Sequence, residues 1–284
     1  MTNMQYVQRL ESEIIFPRVL ENLMTHDTLI LQQRENLINS GRYKGNTQEL
    51  KAYKKNLPRL NQEQLEYCVG LVLGDTTIQA NNDVTAWRLK TQQTEKNASL
   101  LIAKKRVLLP WVLSGISGIE TRPNMLQLQT ITDKAFNPLI DIFQDKTKVL
   151  KPNACVNKRI PKYIQNYLSP IAISAWYCGD GGRRDYGKNQ GKAIQFYTQG
   201  FTENCCNILA NALKNRYNWN TTVKFDYTNP EGINMFLLQI ESNSFESFIT
   251  TVGPYILSNF QERLPSPRKP NSRFKSDDTL TVDE

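Results

Sequence analysis

The chain has 284 residues, a length that suggests about two domains, and its 39% hydrophobic content is sufficient to build folded cores. Lysine and arginine outnumber aspartate and glutamate by 35 to 27, and the resulting charge of +8 favours a polyanionic partner. The five cysteines contain no Cys-x-x-Cys pair and His26 is the only histidine, which excludes zinc-finger spacing and leaves a histidine-dependent catalytic triad a single candidate.

The first twenty residues mix acids with bases and lack both a signal-peptide core and an acid-free transit pattern. The most apolar segment, residues 100–119, is interrupted by three consecutive basic residues and by Pro110. We therefore expect no membrane span, and an odd cysteine count without a leader indicates a reducing compartment. If the protein acts in an organelle, synthesis there is simpler than import.

Residues 1–46 are predicted to form an N-terminal helical extension. Asp27 is placed as the cap of a helix that contains Leu29 and Leu37 and ends near Ser40 and Gly41. The basic stretch 48–55 that follows is equally compatible with a solvated helix face and with an arm that contacts phosphates.

The apolar run 67–74 ends in Asp75 and contains Gly70 and Gly74, four positions apart. On a helix this spacing produces a flat stripe against which another backbone can pack closely. The run therefore predicts a buried helix with a carboxylate at its C-terminal end.

Beyond Asp75 the pattern becomes alternating and predicts a strand over 84–92, with Trp87 and Leu89 on the inner face and Arg88 and Lys90 on the outer face. The elements predicted next are a helix over 95–112, a strand over 125–131 with its glutamines outward, and a helix over 133–144.

A second apolar run, residues 171–179, repeats the same order of two small residues and an acid, here Ala175, Gly179 and Asp180. It is followed by a polar loop over 183–192, a strand over 194–199, a helix over 202–217, strands over 222–227 and 233–240, and a helix over 243–257. The two acids are 105 positions apart, so the sequence predicts an internal duplication of that length. Two such helices packed together would bring both acids to one place, where a divalent cation could hold them.

These residues resemble the LAGLIDADG homing endonucleases, with 68–76 and 173–181 matching the nine positions of the motif. Around the motifs, roughly over residues 47 to 265, the chain is similar to the single-chain members encoded by the omega intron of mitochondrial large-subunit ribosomal RNA genes. The first motif departs from the consensus at Gly74 and Thr76, and neither departure affects the acid.

The predicted fold class is α+β, with two similar halves related by a pseudo-twofold, two antiparallel saddle-shaped sheets backed by helices, and the motif helices packed at the centre. The expected divisions are an N-terminal extension (1–46), a first half (47–150), a second half (151–265) and a flexible basic tail (266–284).

The resemblance implies that Asp75 and Asp180 bind the metal ions, with Mg²⁺ as the expected cofactor because the site offers hard oxygen ligands. Gln92 and Gln199, each after a threonine, match the active-site glutamine of the family. Lys134 and Arg263 are our choices for the basic residue that completes each centre. Side chains suited to reading base edges or contacting phosphates are predicted to bind DNA, namely Arg88, Lys90, Gln127, Gln129, Arg183, Arg184, Lys188, Lys192, Gln195 and Lys224.

The expected function is metal-dependent cleavage of both strands of a long DNA site, which promotes intron mobility, by a monomer with no membrane association. The alternative is a maturase that binds intron RNA and assists its splicing. A carboxylate-pair hydrolase of sugars or peptides would also use two acids, but it gives no reason for the basic charge or the repeated polar strand face. The resemblance implies a mitochondrial location for an organelle-encoded protein, with the chloroplast as the alternative.

Overall fold

The computed structural model describes residues 3–145, 147–184 and 193–265, which contain two four-stranded antiparallel sheets. The strands of the first sheet are β1 (Thr76–Ala80), β2 (Trp87–Thr94), β3 (Ser117–Ile119) and β4 (Arg122–Gln129), in the order β1-β2-β4-β3. Those of the second are β5 (Gly181–Arg184), β6 (Ala193–Phe196), β7 (Thr221–Thr228) and β8 (Asn234–Ile240), in the order β5-β6-β8-β7. The same strand order recurs in both sheets, as expected for the duplicated α+β fold.

The α-helices of the described residues are α1 (Asn3–Glu13), α2 (Thr28–Asn39), α3 (Gln48–Asn56), α4 (Gln62–Leu73), α5 (Ala98–Val107), α6 (Asn137–Phe143), α7 (Pro170–Asp180), α8 (Glu203–Tyr217) and α9 (Phe245–Val252). Short 3₁₀ turns extend several of them, including Leu109–Trp111 after α5 and Ser258–Arg263 after α9. No helix in the described part of the chain is long and apolar enough to cross a membrane.

The motif helices α4 and α7 begin at strong caps. Asn61 accepts a hydrogen bond from the Gln64 amide (2.8 Å) while the Gln64 side chain accepts one from the Asn61 amide, which satisfies two exposed helix donors. Ser169 caps α7, and Pro170 occupies its first position, where no backbone donor is needed. Both helices are buried on nearly all sides, so they form the centre of one apolar core that spans both halves.

The first sheet has one apolar face and one polar face. In β2, Trp87, Leu89 and Thr91 are buried, whereas Arg88 and Lys90 are half-buried on the opposite face. This alternation is the predicted one, and it directs the apolar face toward α5.

The short strands β1, β3 and β5 were not predicted. Residues 183 and 184 belong to the predicted polar loop 183–192, and Gly-Gly-Arg-Arg has low strand propensity. Residues 181–184 instead pair with β6 from Gly181 opposite Phe196 to Arg184 opposite Ala193. The rest of that predicted loop, and the tail from residue 266, lie outside the described residues.

The N-terminal extension is helical, as predicted, and packs against the first half. The Asp27 side chain caps α2, and Gly41 ends it with a φ of +68°, a value that glycine adopts without strain. Glu11 of α1 accepts from Lys105 of α5 at 2.6 Å. The basic stretch 48–55 becomes α3, which packs on α2 around Leu50 and Tyr53.

The segment expected to open the second half is attached to the first sheet. Val156 donates to the carbonyl of Ile78 at 2.8 Å, and Cys155 is bridged to Gln79. The boundary predicted between residues 150 and 151 therefore lies before a segment that extends the edge of the first sheet at β1.

Candidate active site

The two motif acids lie together because α4 and α7 are in backbone contact. A Cβ atom placed on Gly70 would overlap the carbonyl of Ala172, so only glycine permits this approach. Further along the interface, a Cβ on Gly179 would lie 3.7 Å from the Asp75 carboxyl carbon. The small residues thus allow the close helix contact that their spacing predicted, and this contact ends beside the two carboxylates.

Asp75 is held by a buried lysine from the first half. Lys104 of α5 donates to Asp75 Oδ1 at 2.7 Å, and only 2% of its side chain is exposed. The same ammonium group lies 3.3 Å from the Thr76 hydroxyl, which in turn lies 2.7 Å from the hydroxyl of Thr91. This network fixes one carboxylate oxygen of Asp75 in a single direction.

The other oxygen, Asp75 Oδ2, is buried and has no hydrogen-bond partner among the described residues. A buried carboxylate oxygen is costly unless it is paired or coordinates a metal. Because the charge of Asp75 also acts on Asp180, a divalent cation near both acids would satisfy this oxygen.

The ionised form of Asp180 is also disfavoured unless a cation is nearby. Burial, followed by the charge of Asp75, raises the pKa of Asp180 to about 6, while Lys158 and Lys104 act in the opposite direction. Both acids also lie at helix C-termini, where the backbone carbonyls contribute further negative potential. Two carboxylates offer hard oxygen ligands, which fit Mg²⁺ or a similar hard cation whose shell water and phosphate oxygens would complete. No group of three or more His, Cys, Asp or Glu side chains that could hold a metal is found among the described residues.

Lys158 provides a second buried cation at this place. It donates to the carbonyls of Val72 (2.7 Å) and Gly74 (3.2 Å) at the end of α4. Burial lowers the pKa of Lys158, and the charges of Asp180 and Asp75 raise it. Lys158 therefore neutralises the end of α4 and lies within electrostatic range of both acids.

The strand registers place the two predicted active-site glutamines, Gln92 and Gln199, at different positions relative to the acids. Thr76 pairs with Thr91, so Gln92 is opposite Asp75 on the next strand. In the second half Gly181 pairs with Phe196, so Tyr197 occupies the matching position, and its amide donates to the Asp180 carbonyl at 2.8 Å.

Gln199 lies two residues beyond that position and donates to Asp226 of β7 at 2.8 Å. The apparent match of Thr198-Gln199 with Thr91-Gln92 is therefore shifted by two residues relative to the strand pairing. Its role as the active-site glutamine of the second centre stays a prediction, and Tyr197 is the residue that the register places there.

Of the two predicted basic residues, the structure does not bring Lys134 to the acids. Its neighbour Asp133 pairs with Trp87, which is five residues from Gln92 along β2. At about 3.4 Å per residue this separation is roughly 17 Å. Lys104 takes the place that we had assigned to Lys134, because α5 returns along the sheet to the level of Asp75.

Arg263 does lie beside the site. Its guanidinium donates to Asn97 Oδ1 of the first half at 2.8 Å and approaches the Cys178 carbonyl of α7 at 3.5 Å. It also lines a surface pocket with Gly181 and Tyr197. Arg263 thus joins the two halves next to Asp180.

Lys104 and Lys158 were missed by the sequence analysis. A signal for Lys104 existed in the helical spacing. Lys104 shares one face of α5 with Leu100 and Val107, which are both apolar, so a lysine at this position is unusual. No local pattern marks Lys158, which lies in an irregular segment.

The outer face of the first sheet carries the predicted DNA-contacting residues in adjacent pairs. Lys90 is opposite Gln129, and Gln92 is opposite Gln127, so amide and ammonium groups are grouped on one surface. Arg88 donates to Gln79 on the neighbouring strand at 2.9 Å. The four strands of this sheet contain no aspartate or glutamate.

The outer face of the second sheet is less basic. Lys224 lies 3.6 Å from Glu241, which also accepts hydrogen bonds from Thr222 and Gln239. Gln195, expected to face outward in the open, is only 6% exposed because it packs beside its cross-strand partner Gln239.

Among the remaining predicted contacts, Arg183 is exposed at the end of β5. The side chain of Arg184, and both Lys188 and Lys192, lie outside the described residues.

Comparisons with known proteins agree with this architecture. The model of the LAGLIDADG DNA endonuclease family matches residues 65–248. A probable intron-encoded endonuclease 1 of Wickerhamomyces canadensis is 27% identical over 227 residues, covering 77% of this chain and 91% of the relative. The cytochrome b mRNA maturase bI2 of Saccharomyces cerevisiae is 25% identical over 264 residues, covering 88% of this chain and 59% of that protein.

Among solved structures, the homing endonuclease I-WcaI bound to its DNA recognition sequence superposes with a TM-score of 0.69 at 26% identity. The match covers 83% of this chain and 99% of that one. With both motifs inside the matched region and their acids together at the end of a shared helix interface, the chain belongs to the LAGLIDADG DNA endonuclease family.

Proposed function

We propose that the protein is a site-specific homing endonuclease that cleaves both strands of a long double-stranded DNA site and so promotes mobility of its intron. The observation that carries the proposal is the pair of acids, Asp75 and Asp180, brought together by α4 and α7 between two polar sheet faces. One acid per half gives each strand of a duplex its own carboxylate within a single chain.

The proposed cofactor is Mg²⁺ held between Asp75 and Asp180. A divalent cation in this place would neutralise the phosphate and lower the pKa of a water nucleophile. The free oxygen Asp75 Oδ2 and the raised pKa of Asp180 are the features that support this assignment.

The protein's own residues orient the reaction. Lys104 holds Asp75 Oδ1, which leaves Oδ2 directed away from the ion pair. Gln92 lies opposite Asp75 in the strand register, which supports a role for its side-chain amide in orienting a water molecule at the first centre. Tyr197 and Arg263 border the second centre, where a phenol and a guanidinium can donate hydrogen bonds to a phosphate.

DNA recognition is assigned to the outer sheet faces. Arg88, Lys90, Gln127 and Gln129 form a surface with the donor and acceptor groups that read base edges in the major groove. In the second half, Arg183 and Lys224 are the described basic residues of this surface, and Gln195 would have to become exposed in order to contact a base.

We further propose that the protein acts as a monomer encoded in an organelle, with the mitochondrion favoured. Both motif helices of the central interface come from one chain, so no second copy is needed to complete the site. Similarity to an intron-encoded endonuclease and to cytochrome b maturases supports the organellar origin.

The decisive experiment uses Asp75→Asn, Asp180→Asn and the exposed control Asp141→Asn on a DNA fragment of the uninterrupted host gene. With Mg²⁺, the first two variants should lose double-strand cleavage by at least about 100-fold, because each removes a charge needed in the transition state. Binding in Ca²⁺ should persist in all three. Cleavage by the double Asp75→Asn/Asp180→Asn variant at the parent rate would refute the proposal.

The maturase function is a second candidate because the similarity to the yeast cytochrome b maturase extends over 264 residues. A maturase requires RNA binding without a need for the acids. Splicing of the host intron RNA measured on the same variants separates the two functions, since stimulation that survives both substitutions, without cleavage by the parent, would identify a maturase.

A further inference from the structure

A basic groove lies at the end of the first half that is remote from the acids, and the proposed chemistry does not use it. We call it the outer groove. It is lined by Lys54 and Lys55 of α3, Arg59 of the following loop, Ala86 before β2, and Lys134. All of these residues belong to the first half, and α3 and the loop after it form one wall of the groove.

The cations of the outer groove are available to a ligand. Lys55, Arg59 and Lys134 are exposed, and none of them forms an ion pair with a described residue. Lys54 is half-buried and donates to the Thr132 hydroxyl at 3.4 Å, so it is held in place at the wall.

One carboxylate, Asp133, also lines the groove. Its side chain already accepts a hydrogen bond from the Ala135 amide at 2.8 Å as a helix cap. The charge of Asp133 interacts with those of Lys54 and Lys134. Four basic side chains still outnumber this one acid, and the balance favours an anionic ligand that is longer than a single small ion.

The position of the groove identifies that ligand. Ala86 precedes Arg88 by two residues, so both belong to the outward-facing set of the strand that also includes Lys90 and Gln92. A duplex lying on this face would continue past Arg88 toward the groove. Ala86 is six residues from Gln92, which is about 20 Å along the strand and corresponds to about six base pairs.

We propose that the outer groove binds the sugar-phosphate backbone of one DNA arm, beyond the base pairs that the first sheet reads. This inference rests on the proposed function. It gives α3 and the loop after it the role of a phosphate clamp, and it assigns Lys134 to phosphate contact.

The test compares a groove variant, Lys55→Gln/Arg59→Gln/Lys134→Gln, with a control variant of equal charge, Lys51→Gln/Lys148→Gln/Lys162→Gln, whose lysines are exposed and do not line the groove. Thermal unfolding verifies that both remain folded. In the groove variant the slope of log affinity against log salt should fall by up to about 2.7, because each lost phosphate contact removes about 0.9. The control should retain most of the parent slope.

The length of each DNA arm is the second variable in the experiment. Shortening one arm of the site to fewer than about six base pairs from its centre should weaken binding by the parent and control proteins and reduce their slopes. The groove variant should be insensitive to that truncation, and shortening the other arm should affect all three proteins equally.

The outcomes separate the two levels of inference. If the parent neither binds nor cuts any fragment of the uninterrupted gene, the proposed function fails. If the parent cuts DNA but the groove and control variants behave alike, the groove inference alone is overturned. A groove variant that keeps its DNA slope but loses affinity for the host intron RNA would also overturn it, in favour of RNA.

Discussion

Asp75 and Asp180 occupy matching positions after the two motif helices, but their surroundings differ. Asp75 forms a 2.7 Å ion pair with the buried Lys104, whereas burial beside Asp75 raises the pKa of Asp180 to about 6. Duplication of a fold therefore reproduces the positions of the acids without reproducing the cations that stabilise them. Lys104 fixes the position of the first carboxylate in the free protein, and the second carboxylate depends more strongly on what binds.

The outer faces of the two sheets also differ in charge. The strands of the first sheet carry no acid, whereas Asp226 of β7 and Glu241 after β8 lie beside the polar face of the second. In the free protein, Glu241 forms an ion pair with Lys224. The first half is consequently the more attractive surface for a polyanion.

The largest expected effect comes from breaking the Lys104–Asp75 pair. Lys104→Met should lower the free energy of unfolding by about 3 kcal/mol, because it leaves a buried carboxylate without its cation. Urea unfolding measures the loss, and cleavage should fall with it.

The matched control for that prediction is Lys105→Met, which removes a more exposed pair with Glu11 and should cost less than about 1 kcal/mol. Adding Asp75→Asn to Lys104→Met should restore part of the stability. Equal losses for the two lysine variants would contradict the distinct burial of the first centre.

A change that pushes α4 and α7 apart should lower the free energy of unfolding somewhat less than the loss of Lys104. Gly70→Ala introduces an atom that overlaps the Ala172 carbonyl, so we expect a loss of about 2 kcal/mol even though alanine favours helices. Gly74→Ala is the control, since its nearest neighbour would be 3.6 Å away. If chemical denaturation gave both variants the stability of the parent, the helices would not meet at Gly70.

The raised pKa of Asp180 predicts a pH-dependent difference between the parent and Asp180→Asn in EDTA. Below about pH 3 the acid is protonated in both the folded and unfolded states, so the parent and the variant should melt alike. Above the folded-state pKa of about 6, the parent bears the cost of a buried charge, and Asp180→Asn should be more stable by about 2 kcal/mol. A constant difference in melting temperature from pH 4 to pH 8 would exclude Asp180 as its source.

The smallest effect concerns the second face. Glu241→Gln removes a negative charge that lies 3.6 Å from Lys224, and it should increase DNA affinity a few-fold at low salt, with less effect at higher salt. Glu246→Gln, an exposed change on α9, is the control. A decrease in affinity for Glu241→Gln in fluorescence anisotropy would show that Glu241 orients Lys224 productively.

The sequence by itself determined the elements with strong local signals. The glycine and alanine spacing of the motif runs predicted the α4–α7 contact, and the alternation over 84–92 predicted the apolar and polar faces of β2. Asp27 was recognised as a cap because its oxygen satisfies amides only two and three residues away. Such features depend on neighbours in the chain, and residue type and spacing are enough to specify them.

Tertiary structure alone decided the features that depend on distant partners. β5 forms from Gly-Gly-Arg-Arg because β6 supplies its hydrogen bonds, and the β5–β6 register places Tyr197 at the position where local similarity had suggested Gln199. Lys104 reaches Asp75 across 29 residues of chain, and Lys158 reaches the end of α4 across 86. The identity of the cations beside the acids is fixed by how helices and connecting segments pack around a shared core. The sequence marks Lys104 only as a polar position on an apolar helix face, and no local pattern marks Lys158.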